Sequence, residues 1–476
     1  MARCLPAAPA ALLLSCLPLA LAMAPPADAA APESRLLREA AELRDRALAD
    51  SDAWQHAWSL TTEVGPRPAG SAGDRAAVTW ALTRLADIGF DEIRPQPVEV
   101  AAWERGTAEA RVVQPFPQPL TVTALGLSIG TPETGIEAPV VRFESLAALE
   151  AAKPEEVRGR IVFIDERMER MRDGSGYGAA VQKRSRGPSV AAARGALALV
   201  IRSVGTSTHR FAHTGATRYE QGVRQIPAFA LSNPDADLVT AQFAAGEEVR
   251  LYLYSSARML APARSANVIA EIRGAERPDE IVIMGAHLDS WDLGTGAQDN
   301  ATGVATLMET ARFIAMMPRR PARTVRLVLY ANEERGLDGS RTYTGAALQA
   351  EQRHVVGIEA DGGGGLIYRF DSGVAEHAFP VIDAMRELLL PLGIEGGDNS
   401  ANGGADLSTL RAEGLPVLSM RHDMSGYFDV HHSANDTLDK VDPEALKQAV
   451  AAYAPVIWIA ANVEGDFGAT VPGRAD

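Results

Sequence analysis

Five short apolar runs separated by helix-length segments leave the second half of this chain few folds to adopt. The runs cover residues 268–272, 281–285, 325–330, 355–358 and 416–420, and the stretch 300–317 sets Val304, Leu307, Met308, Ala311 and Ile314 at helical spacing. Continuous apolar strands alternating with amphipathic helices predict a mainly parallel α/β sheet with helices on both faces. Asp442 followed by Pro443 predicts the start of a closing helix, an N-cap and then a proline at the first helical position.

In an open sheet of this kind, ligands bind in the crevice beyond the carboxyl ends of the strands. His287 and Asp289 follow the second run, Glu333 and Glu334 the third, and Asp361 the fourth, while Asp299 and His432 fall in loops on the same rim. His431 adjoins His432, and spacing does not say which of them faces the crevice. Imidazoles and carboxylates without a thiol make a donor set suited to zinc, with manganese or cobalt as substitutes. A pair of cations needs one bridging carboxylate and about two further ligands for each ion. Asp299 is the expected bridge, with His287 and Asp361 on one ion and Glu334 and His432 on the other. Solvent shared by such a pair is acidified toward neutral pH. Glu333, next to a ligand without being one, is the expected general base, and Asp289 is expected to accept a hydrogen bond from the outer nitrogen of His287.

The rest of the chain divides into an expected signal peptide at 1–30, a first catalytic segment at 31–125, an insert at 126–255 and a second catalytic segment at 256–476. Arg3 precedes an apolar stretch from Leu5 through Met23, and small residues follow around Ala27 and Ala29, the pattern of a secretory signal. Both cysteines, Cys4 and Cys16, lie inside it, so the exported protein is expected to carry neither a disulfide nor a thiolate site. Acylation at Cys16 is the less favoured alternative, because Leu14 is bulky for a lipoprotein cleavage site. No later segment is long and apolar enough to anchor in a bilayer, and the mature protein is expected to be soluble, periplasmic or secreted. A formal net charge of -15 without a basic run argues against nucleic acid as a partner. Within the insert, short β runs at 140–143, 161–164, 197–201, 226–231 and 249–254 alternate with helical pieces, and His209 and His213 read as solvated loop histidines.

Longer stretches sharpen these expectations. Gly285-Ala286-His287-Leu288-Asp289-Ser290-Trp291-Asp292, Gly296-Ala297-Gln298-Asp299-Asn300, Gly65-Pro66-Arg67, Trp103-Glu104-Arg105-Gly106, His213-Thr214-Gly215, Glu359-Ala360-Asp361 and His431-His432-Ser433 together resemble the co-catalytic zinc aminopeptidase and carboxypeptidase family. The resemblance covers nearly the whole chain after the signal. It implies a phosphorylase/hydrolase-like α/β domain, a mixed sheet flanked by helices, with a protease-associated-like β/α insert over the cleft. It also implies two zinc ions per chain on His287, Asp299, Glu334, Asp361 and His432, a catalytic Glu333, a cis peptide after Asp299, and a homodimer. His432 rather than His431 matches the family's ligand. Asn300 stands where relatives carry an acid, and Asn332 where they carry a small residue. The implied activity is hydrolysis of dipeptides or short peptides as a carboxypeptidase or dipeptidase. An aminopeptidase on the same site, a glutaminyl cyclase and a non-catalytic binding ectodomain are the alternatives. Arg335 and Arg421 are candidates to hold a substrate carboxylate, Asp406 to hold an amine, and Tyr427 or His431 to donate to the oxyanion.

Overall fold

The computed structural model describes residue 1 and residues 32–468. The expected signal peptide, with Cys4 and Cys16, therefore lies outside the described residues but for Met1.

One eight-stranded sheet carries the strands read from the apolar runs. Its strands are β1 (Glu92–Val100), β2 (Ala263–Ile272), β3 (Arg277–His287), β4 (Arg323–Tyr330), β5 (Arg353–Glu359), β6 (Ile367–Gly373), β7 (Glu395–Gly396) and β8 (Val417–His422), in the spatial order β1-β2-β4-β3-β5-β8-β6-β7. The central four, β4, β3, β5 and β8, run parallel, and antiparallel pairings at β1-β2, β2-β4 and β8-β6 make the sheet mixed. Alternate side chains feed opposite faces, as the two-residue repeat of a strand requires. Val282, Met284 and Ala286 of β3 join a core with the helices Ser34–Asp50, Thr302–Ala315 and Pro443–Asn462. Ile281 and Ile283 face the other way, toward Tyr343, Leu407 and Leu410. Asp442 caps the last helix through the Glu444 amide, with Pro443 as its first residue.

β6 was not expected. Its sequence holds Arg369, Asp371 and Ser372 among few apolar residues, so neither periodicity stands out, and pairing against β8 and β7 makes it a strand.

A second eight-stranded sheet gathers Ala108–Gln114, Gln118–Leu120, Val122–Ala124, Ile136–Phe143, Ile161–Ile164, Ala198–Arg202, Ala228–Leu231 and Arg250–Ser255. Three of these strands precede residue 126, where the sequence reading opens the insert. The first of them is legible as a strand at 110–113, and Pro115, Pro117 and Pro119 hide the alternation of the two that follow.

The N-terminal helices are tied to the helix Thr302–Ala315 by a buried acid. Glu309 is fully buried; it accepts from Arg312 at 2.6 and 2.8 Å and from the Asp52 amide at 2.7 Å, with His56 Nε2 at 3.6 Å. Burial raises its pKa, but the Arg312, His56 and Asp52 donors outweigh that and bring it down to about 2. A carboxyl depressed in the folded state stabilises the fold above its unfolded pKa, near 4.5, and that stabilisation is lost as pH falls toward 2. Glu309→Gln is expected to lower unfolding free energy near neutral pH by about 3 kcal/mol and to leave it little changed near pH 2. Urea titrations at the two pH values check this, and an equal deficit at both would refute it.

Candidate active site

The donors expected to converge do so at the carboxyl ends of β3, β4 and β5. His287 is the last residue of β3; Glu333 and Glu334 lie three and four residues beyond β4, and Asp361 two beyond β5. Asp299 sits in the turn Ala297–Ala301 that leads into the helix Thr302–Ala315, and the Asp299–Asn300 peptide is cis.

Asp299 lies between two sets of donors, and its two oxygens face different ones. Oδ1 is 3.1 Å from His287 Nε2, which is itself 3.5 Å from Asp361 Oδ1. Oδ2 is 3.2 Å from His432 Nε2, which is 2.8 Å from Glu334 Oε2. His431 Nε2 also comes within 3.5 Å of Asp299 Oδ2, so both neighbouring histidines reach this carboxylate. They differ in their other contacts: His432 meets Glu334, whereas His431 is boxed by the rings of Tyr177, Tyr427 and Phe428 at 5.0 to 5.2 Å.

The neighbouring backbone sets these side chains. Asp436 accepts from the Gln298 and Asp299 amides at 2.6 and 3.2 Å. Arg67, fully buried, donates to the carbonyls of Leu288, Thr295 and Gly296 and so ties the end of β3 to the Asp299 turn. Asn332 and His432 both adopt left-handed backbone, at φ 59° and 58°. Asparagine tolerates that conformation, which accounts for Asn332 before Glu333, whereas a non-glycine residue held in it elsewhere costs on the order of 1–3 kcal/mol.

Comparisons with known proteins identify the relatives of this chain. The model of peptidase family M28 matches residues 267–457. Carboxypeptidase Q of Homo sapiens is 33% identical over 412 residues, spanning 85% of this chain and 84% of that protein. The chain belongs to peptidase family M28. A crystal structure of a peptidase M28 precursor from Shewanella amazonensis SB2B, 47% identical, matches with a TM-score of 0.90 over 92% of this chain and 99% of that one. The zinc aminopeptidase BSAP from Bacillus subtilis, at 18% identity and a TM-score of 0.64 over 86% of this chain and 94% of its own, shares the fold. As a member of family M28 the chain is a metallopeptidase, a hydrolase of peptide bonds.

The donor set of this M28 chain fits divalent cations. Burial, followed by the charge of Asp299, pushes Glu334 up to about 7 and Asp436 up to about 7. Glu333 is held well above the usual range by desolvation and by the Asp361, Glu334 and Asp406 carboxylates, against the pull of His287. Such crowding of acids calls for positive charge, and Glu334 Oε1, buried with no hydrogen-bond partner, supplies a free ligand atom for it.

Several secondary expectations are corrected. His287 Nδ1 lies 3.1 Å from the backbone carbonyl of Asp289, and the carboxylate stands off at 3.7 Å. That carboxylate instead accepts from the Glu333 amide at 3.0 Å, so Asp289 sets the base rather than the imidazole. Arg335 is buried and donates to the Ala69 carbonyl at 2.7 Å, and Arg421 pairs with Asp371 at 2.7 Å. The Arg335 guanidinium is enclosed, and Arg421 already engages Asp371 through its Nε. Asp406 is 1% exposed, too enclosed to meet a substrate amine. His213, expected in solvent, is fully buried, while His209 is exposed as read. Arg67 was visible in the sequence only as part of the Gly65-Pro66-Arg67 match, and nothing local marks it as the tie beneath the site.

Proposed function

We propose that this M28 peptidase is an exported two-zinc exopeptidase that hydrolyses dipeptides or short peptides, with Glu333 as its general base. The observation that carries the reading is Asp299 presenting one oxygen to each of two donor sets. His287 and Asp361 would hold one ion with it, and Glu334 and His432 the other. The nitrogen and oxygen donors suit zinc, with manganese or cobalt as substitutes. Bound there, the ions would supply Lewis acidity, polarising the scissile carbonyl and making water a stronger acid.

The chain's own groups do the rest. Glu333 is half-buried, its backbone held by Asp289, and its carboxylate takes a proton from the attacking water and returns it to the nitrogen of the leaving amine. Tyr427, half-buried and packed on His431, is the candidate donor to the oxyanion. A cavity of about 490 Å³ between the Ser207–Thr208–His209–Phe211 stretch and Gly364 reaches Gln298 and Tyr427 beside the site. Its size suits one or two amino-acid residues, in keeping with short substrates. The reading treats the second sheet as a protease-associated-like insert covering that cleft. It also includes export, carried by the apolar leader, and pairing of two copies, carried by the family resemblance. Among the described residues no helix is long and apolar enough to cross a membrane.

The test is hydrolysis of a dipeptide library, with free, N-acetylated and C-amidated members, before and after chelation. Cleavage is expected to vanish with the metal and to return with added zinc. Tolerance of N-acetylation selects carboxypeptidase action, and tolerance of C-amidation selects aminopeptidase action. Undiminished cleavage by exhaustively demetallated protein would end the proposal.

A further inference from the structure

The left-handed backbone of His432 is held from across the cleft by groups belonging to the second-sheet part of the chain. His213 Nδ1 lies 2.7 Å from the His431 carbonyl oxygen. A carbonyl only accepts, so this nitrogen carries the proton and donates it. One residue further, the Thr214 amide donates to the His432 carbonyl at 2.8 Å. Arg184 backs this contact: it donates to the Thr214 carbonyl at 3.2 Å and to the Tyr177 hydroxyl at 2.7 Å, and it lies 3.4 Å from His432 Nδ1. Both side chains rest where glycine leaves room. A Cβ on Gly205 would stand 2.5 Å from the His213 ring, and one on Gly215, at φ +134°, would stand 2.2 Å from the Arg184 guanidinium. Two consecutive carbonyls are thus gripped, one by the His213 side chain and the next by the Thr214 amide that Arg184 backs.

We infer that His213 and Arg184 are positioning residues for the second cation, holding residues 431–432 in the conformation that turns His432 Nε2 toward Asp299 and Glu334. The inference rests on the two-ion reading above. It follows from where the contacts fall: among the described residues, the His287, Asp299 and Asp361 side chains take no hydrogen bond from this segment, whereas His431 and His432 take several. Losing the grip lets the His432 backbone relax to negative φ and carries its imidazole off the ion. One ion should loosen and the other should stay.

The experiment is calorimetric titration of zinc into metal-free full-length protein, with zinc counted after dialysis, for wild type, His213→Leu, His213→Asn and Arg184→Met. Wild type is expected to bind two ions. His213→Leu, which lacks the donor, is expected to keep one tight ion and to weaken the other by about 10–100-fold, the range for loss of an outer partner of a metal ligand. His213→Asn, whose amide can stand near the Nδ1 position, should recover most of that affinity. Arg184→Met should weaken the same ion and tests the grip at a separate point if His213→Leu does not fold. Two tight ions in His213→Leu and Arg184→Met overturn the inference, and so does equal weakening of both ions. A wild type that binds fewer than two ions overturns the reading beneath it instead.

Discussion

Glu333→Gln is expected to keep both metal positions filled while lowering kcat/KM by about 10²–10⁴-fold, the contribution typical of a general base. Glutamine matches glutamate in shape, and the Glu333 amide that donates to Asp289 Oδ1 belongs to the backbone, so the substitution leaves the local geometry in place. What disappears is the proton acceptor. Metal content after dialysis and steady-state kinetics on one good dipeptide separate the two effects. A variant that retains its metal and works within a few-fold of wild type would remove Glu333 from its role, and one that loses metal would make it a ligand.

Asp299→Ala is expected to empty both positions together. Each donor set would keep only its two remaining members, His287 with Asp361 and His432 with Glu334, because the carboxylate between them is proposed to serve both. The loss of affinity should exceed the roughly 10–100-fold that follows removal of an outer partner, and activity should fall below detection. Stability gives an independent reading, since a ligand bound only by the folded state raises the melting temperature through mass action. Zinc should therefore shift the melting of wild type and not that of Asp299→Ala. Loss of a single ion from the variant would place the bridge elsewhere.

Much of the site was open to reading along the chain, because the features that announce it are short-range. The apolar runs that became β3, β4 and β5 carry their acids and histidine immediately beyond their ends, and a parallel arrangement then brings those ends to one rim. Asp442 and Pro443 marked a helix start within two residues. β6 escaped because its strand character comes from pairing with β8 and β7 and not from its own pattern. The early strands of the second sheet fall outside the expected insert, because the strand legible at 110–113 belongs to the first catalytic segment in that reading and prolines break up the alternation of the two that follow.

Partnerships between distant residues were beyond any such reading. His213 and the His431 carbonyl are 218 positions apart, Arg335 and the Ala69 carbonyl 266, and Arg421 and Asp371 50. A histidine in a loop of the insert looks the same along the chain whether it meets water or a backbone oxygen of a distant loop. By itself the sequence determined which residue types stand at the strand ends, and so the kind of ion and chemistry they suit, since strand and helix periods and terminal caps act over a few residues. Only the tertiary structure decided which oxygen of Asp299 faces which donors, which arginines are already engaged, and that a loop of the second-sheet region grips the His431–His432 backbone. Those outcomes depend on how two sheets and their loops pack, which fixes each polar group's partner only when the whole interface closes.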